Sequence, residues 1–130
     1  FTAKEMNIQV VSSFIPSSFL LALMLSGLEG QRFAFHGYLP REDAQLKRSL
    51  LQLEKRSRED KATQIWIEAP YRSSKMVSYL LNTLHEETLL CIAKSLTSPD
   101  ESVITQKIKK WRSSSPLLGK EPTIFLIYSG

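Results

Sequence analysis

The sequence predicts an α/β domain, a mixed sheet of five or six strands flanked by helices. Two patterns predict it. Short runs rich in β-branched and aromatic residues alternate along the chain with stretches whose apolar residues recur at helical spacing. The 130 residues, 42% hydrophobic and 23% charged, also have the size and balance of one compact domain able to bury a core. No internal repeat or low-complexity tract divides the chain, and "SSSPLLGKEP", Ser113 to Pro122, is its only linker-like stretch.

The elements follow in order. "NIQVV", Asn7 to Val11, reads as a short strand, and "PSSFLLALMLSG" as a helix opened by Pro16 and Ser17 and stopped by Gly27. "RFAFHGY", Arg32 to Tyr38, alternates as a strand with Phe33 and Phe35 on one face. Leu46, Leu50, Leu51 and Leu53 then give a helical stripe across Glu42 to Asp60. "TQIWIE", Thr63 to Glu68, is a strand ended by Pro70, and a helix from Ser73 to Leu84 presents Met76, Tyr79, Leu80 and Leu84. "TLLCIAKS" is a further strand, "SVITQKI" a weaker one, and "TIFLIYS", Thr123 to Ser129, has the unbroken apolar run of a central strand.

Composition narrows the function. Net charge is +4 with a pI near 9.3, a balance that favours a polyanionic partner. Arg41 to Lys61 holds seven basic residues diluted by five carboxylates, while "KIKKWR", Lys107 to Arg112, is purely basic; either also fits a solvated helical face. The apolar stretch Phe14 to Leu28, broken by Pro16, Ser17, Ser18 and Ser26, falls short of the roughly 20 residues a spanning helix needs, so no membrane segment is expected. Phe1 and the mixed segment after it predict no signal peptide, and the opening without Met suggests a piece of a longer protein. The single Cys91, inside "LLCIA", fits a reducing compartment, here the cytoplasm, and a buried inert thiol.

Common catalytic and metal motifs are absent from the sequence. There is no Walker loop, G-x-G-x-x-G, H-E-x-x-H or G-x-S-x-G, and no metal site is expected at "HEE", His85 to Glu87, because adjacent residues on a helix do not share a face. His36, between Phe35 and Gly37, reads as a hydrogen-bonded structural or pocket-wall histidine. Three loops after strands stand out instead: "IPSS" (Ile15 to Ser18), "GYLPR" (Gly37 to Arg41) and "EAPYR" (Glu68 to Arg72). Each sets proline or small residues beside a helix start, where free N–H groups can take an anion. A strand-end glutamate can accept bonds from ribose hydroxyls or an amine. Capping by Ser17 and Ser73 explains the serines alone.

"PSSFLLALMLSGL", "RFAFHGYLP" and "IWIEAPYR", in that order and spacing, resemble the C-terminal half of the tetrapyrrole methylase family of S-adenosylmethionine-dependent methyltransferases. Within it they are most similar to the branch that methylates ribose 2′-hydroxyls of small-subunit ribosomal RNA. The likeness runs from about Ile8 to Gly130 and includes the closing "EPTIFLIYSG". It implies that residues 1–130 form the second domain of a two-domain enzyme, with S-adenosyl-L-methionine in the cleft between domains and the first domain absent from this chain.

By the same resemblance, Pro16, Ser17 and Ser18 match the first cofactor turn. Glu68, Ala69 and Pro70 match the strand-end wall of the pocket, and Ala93 and Thr123 its adenine side. Arg41 and Arg72 match positions suited to substrate phosphate. No catalytic residue is implied by position. Ile15 stands where the family carries a glycine, and Ser95 and Ser98 where many relatives carry a carboxylate and a lysine. The implied partners are ribosomal RNA and a second copy in the intact protein, not DNA or a membrane. Two other readings stay open: methylation of a corrin or porphyrin carbon, and a non-catalytic RNA-binding or dimerisation module. In the "EAPYR" loop, Glu68 and Arg72 are expected to converge on the cleft, with Ser73 capping the next helix.

Overall fold

A computed structural model describes residues 14–114, 118–119 and 121–130. The strand expected at Asn7–Val11 lies outside the described residues. Helix α1 (Phe14–Ser26) ends at Gly27, whose φ of 73° supplies the left-handed turn that the sequence placed there. Strand β1 (Phe33–Tyr38) is followed by α2 (Asp43–Asp60). Glu42 opens α2 by accepting from the N–H groups of Ala44 and Gln45, and Lys61 closes it in the left-handed region. The buried stripe of α2 runs Leu46, Leu50, Leu53, Glu54 and Ser57, whereas Leu51 is exposed, since it falls off the three- and four-residue spacing.

Strand β2 (Thr63–Glu68) has the bounds read from the sequence. A single 3₁₀ turn (Pro70–Arg72) leads into α3 (Ser73–Thr83), which buries Ser73, Met76, Val77 and Leu80. Val77 joins this face, while Tyr79 packs half-buried against the same core as expected, with its hydroxyl directed to the Asp43 carboxylate. Strands β3 (Leu89–Lys94) and β4 (Ser102–Lys107) form an antiparallel pair, and a short helix α4 (Ile108–Ser113) and strand β5 (Thr123–Tyr128) follow. The basic "KIKKWR" is thus a strand end and a helix whose Ile108 and Trp111 are buried, Trp111 Nε1 donating to the Leu90 carbonyl at 2.9 Å.

The five described strands make one mixed sheet in the order β1-β2-β5-β3-β4. β1 and β2 are parallel; β5 lies antiparallel between β2 and β3. The C-terminal ends of β1, β2 and β3 therefore meet the N-terminal ends of β5 and β4 along one end of the sheet. Alternating side chains give the central strands two buried faces. Trp66, Leu90, Ile92, Phe125 and Ile127 pack beneath α2, α3 and α4, with Trp66 stacked on Phe125 at 5.7 Å. Ile65, Cys91, Ala93, Ile124 and Leu126 pack against Ala22 and Leu23 of α1.

Candidate functional site

At the sheet end where the three strands finish lies a cavity of about 340 Å³. That is within the range of small-ligand pockets. Its walls come from distant parts of the chain. Tyr38 ends β1, Ile67 and Glu68 end β2, Ala93 ends β3, and Thr123 and Ile124 begin β5. Pro70, Pro122 and the loop residues Ser95, Leu96 and Ser98 close the rim. Four of the eight residues that the resemblance assigns to the cofactor, Glu68, Pro70, Ala93 and Thr123, line this one cavity.

The local reasons are plain. Pro70 stops β2 from extending its ladder and starts the 3₁₀ turn, which fixes the course of the loop. Glu68 is 6% exposed, and its Oε1 accepts from the Ala69 N–H at 2.9 Å. Oε2 has no hydrogen bond among the described residues and keeps some exposure, so one acceptor remains available beside the cavity. Ser95 holds a left-handed φ of 53° and its N–H donates to the Pro122 carbonyl at 3.0 Å, joining the two rim loops. Lys94 and Glu121, 3.7 Å apart, sit beside this junction. The apolar walls of Ile67, Ala93, Leu96 and Ile124 suit an aromatic or aliphatic ligand face, and Glu68, Thr123 and the two serines supply the few polar groups that orient it.

The other assigned residues lie elsewhere. Ala69 donates to Glu68 but does not line the cavity. The backbone of Pro16, Ser17 and Ser18 belongs to the first turns of α1, and their side chains lie outside what is described. Arg72 does not converge with Glu68. Its Nη2 donates to the Arg41 carbonyl at 3.3 Å, because the 3₁₀ turn swings it toward the start of α2. The two arginines are thus neighbours, next to Asp43, whose carboxyl is held below the usual range by the Tyr79 hydroxyl and the Lys75 ammonium. Ser73 does not cap α3 either: Arg72 occupies the N-cap position, and the Ser73 hydroxyl is buried without a partner among the described residues.

Two further expectations can be placed. His36 Nε2 lies 2.6 Å from Gln64 Oε1, the structural bond expected of it. Cys91 is buried, and burial pushes its thiol up to about 11, which leaves it protonated and inert at neutral pH. The sequence reading named no role for Tyr38, Ile67, Leu96, Pro122 or Ile124. Tyr38 fell within the loop "GYLPR" that it singled out.

Fold and cavity together define the class: an open mixed α/β domain with a ligand-sized cavity at the carboxyl ends of three of its strands. The chain is 31% identical over 100 residues to the ribosomal RNA small subunit methyltransferase I of Vibrio cholerae, covering 77% of this chain and 33% of that protein. With the protein of the same name from Buchnera aphidicola it shares 27% over 128 residues, 96% of this chain and 44% of that one. Among solved structures, the methyltransferase CobJ matches 85% of the chain and 46% of its own length with a TM-score of 0.55 at 17% identity. No family-level profile matches the chain. The chain is a homologue of part of the small-subunit methyltransferases I and has the fold of a tetrapyrrole methylase domain, as the resemblance implied. It spans a third to under half the length of the curated relatives it matches.

Proposed function

We propose that this chain is the C-terminal domain of an S-adenosylmethionine-dependent methyltransferase acting on a ribose 2′-hydroxyl of small-subunit ribosomal RNA. The observation that carries the reading is the gathering of Glu68, Pro70, Ala93 and Thr123, all assigned to the cofactor by the resemblance, around one cavity of ligand size. The names of the relatives support methyl transfer to ribosomal RNA. Their greater length supports a second domain that completes the cleft.

The residues present fit such a cofactor. Ile67, Ala93 and Ile124 offer a flat apolar wall for a base, and Glu68 offers a buried carboxylate for ribose hydroxyls or an amine. When bound, S-adenosylmethionine supplies a methyl group already activated by its sulfonium. The chain's own task is then placement. Pro70 and the Ser95–Pro122 bond keep the rim loops rigid, so that approach of the acceptor is reduced to one orientation, which itself provides a large part of a rate enhancement. By the resemblance, Arg41 and Arg72, which meet where Arg72 Nη2 donates to the Arg41 carbonyl, are the residues assigned to a phosphate of the acceptor strand. The proton acceptor is assigned to none of these residues.

The working unit in this reading is a cytoplasmic homodimer. Leu20, Met24 and Leu25 of α1 are the exposed apolar surface available for the contact, Met24 being 78% exposed. The test is to give the intact protein methyl-labelled S-adenosylmethionine with small-subunit ribosomal RNA and, separately, with a tetrapyrrole. Label in RNA at a linkage resistant to alkali is expected, since a 2′-O-methyl group removes the attacking hydroxyl. Label in the tetrapyrrole alone would overturn the reading.

A further inference from the structure

Strand β1 lies at the edge of the described sheet, and its outer N–H and C=O groups face no neighbouring strand among the described residues. On the side that faces α2, two depressions border it. One, of about 640 Å³, is lined by His36, Ser49, Gln52, Lys55, Arg56 and Glu59 among others. The other, of about 290 Å³, includes Arg32, Ala34, Arg56, Asp60 and Gln64. Arg56 borders both, and it makes no ion pair or side-chain hydrogen bond among the described residues. Ser49, Gln52, Arg56 and Glu59 follow three- and four-residue spacing, so one face of α2 forms the outer wall of a largely polar groove whose two parts meet at Arg56.

The floor of the groove has a defined donor pattern. Gln64 is almost fully buried beside the apolar run Ile65–Ile67, and its Nε2 donates to the Ala62 carbonyl at 3.2 Å. Its Oε1 therefore accepts from His36 Nε2, which must carry the imidazole proton. His36 Nδ1 is left as an acceptor, a partner suited to a ribose hydroxyl. Around this floor, Arg32, Lys55 and Arg56 stand against Asp60 and a Glu59 already engaged by Lys55 at 3.8 Å. The same strand ends at Tyr38, which lines the cavity, so the groove and the candidate site share β1. With six residues at about 3.3 Å each, that strand is roughly 20 Å long.

We propose that the polar groove between α2 and the open edge of β1 binds the sugar-phosphate backbone of the acceptor RNA, on the stretch leading to the methylated nucleotide. Cations with an uncommitted guanidinium, edge amides and an imidazole acceptor match phosphate and 2′-hydroxyl chemistry, while the apolar surface suited to protein lies on the α1 side of the sheet. The proposal rests on the RNA reading given above.

The experiment uses the intact protein and the double variant Arg56→Gln, Lys55→Gln, both glutamines being good helix formers on an exposed face. S-adenosylmethionine affinity and kcat at saturating RNA are expected to hold. KM for RNA is expected to rise, and the slope of log affinity against log salt to flatten by about 1 for each cation removed. An RNA-methylating protein whose double variant keeps the wild-type RNA KM and salt slope would overturn the groove and leave the functional reading standing. A wild-type protein that neither binds nor methylates RNA would sink both. A double variant that changes sedimentation instead of RNA affinity would identify the groove as a protein contact and also refute the proposal.

Discussion

Two buried glutamates of equal exposure, Glu54 and Glu68 at 6% each, should respond in opposite ways to truncation. Glu54 is scaffold. Its Oε2 accepts from the His85 N–H at 2.8 Å and the Thr88 hydroxyl at 2.6 Å, and Arg58 stands 3.9 Å from Oε1. In Glu54→Ala the Thr88 hydroxyl can turn to Ser129 Oγ, 3.3 Å away, but the His85 N–H is left without an acceptor. One orphaned donor and the loss of a charge-assisted bond come to about 2–4 kcal/mol. The half-exposed Arg58 pair adds little. At about 3–5 °C per kcal/mol for a domain of this size, the melting temperature falls by about 6–20 °C. Glu68 holds only the N–H of the next residue, so Glu68→Ala should cost no more than about 1 kcal/mol and a few degrees. The assay is thermal unfolding of both variants of the intact protein, with S-adenosylmethionine binding measured on the same samples. Glu68→Ala is expected to lose affinity and keep its stability, and Glu54→Ala to do the reverse. A Glu68→Ala protein that melts as low as Glu54→Ala, or that binds cofactor as the wild type does, would refute the division between site and scaffold.

Other outcomes can be set beside this one. Cys91 should resist alkylation in the folded protein at pH 8 and react once denaturant exposes it; because its folded thiol is raised to about 11 from an ordinary 9, its contribution to stability is whole below pH 9 and is lost as pH rises toward and past 11, a trend a Cys91→Ala variant should lack over that window. Ser73→Ala should leave the melting temperature unchanged or raise it by a few degrees, since it removes a buried hydroxyl without a partner among the described residues; a loss of more than about 2 kcal/mol of stability would show that the hydroxyl is satisfied after all.

Much of this molecule could be read from residue order, and the limits have physical reasons. "TQIWIE" announced its own ends, because Pro70 blocks extension and the β-branched run has no helical period. Gly27 marked a helix stop for the same kind of local cause. The helix Ile108–Ser113 left no comparable mark: it starts from a strand end without a side-chain cap and rests on only two buried residues, so burial decides it and not propensity. At the site, Glu68, Pro70, Ala93 and Thr123 were legible through the resemblance, but Leu96, Pro122 and Ile124 carry no chemistry that would single them out. The turning away of Arg72 toward Arg41 depends on a 31-residue separation closed by tertiary packing, which no local pattern encodes. Nor does local pattern give the strand order, where the last strand enters the middle of the sheet.

That late entry of β5 has a consequence for biogenesis. The parallel pair β1–β2 and the hairpin β3–β4 are not hydrogen-bonded to each other and meet only through β5. Until Thr123–Tyr128 has left the ribosome, both halves expose an open strand edge, and the residues that later wall the cavity sit on separate, unjoined pieces. The domain cannot mature progressively from its amino end as many nascent chains do. A ligand-competent cleft and a closed sheet edge arise in the same late event, so a nascent chain stalled before residue 123 would be both inactive and prone to edge-to-edge association.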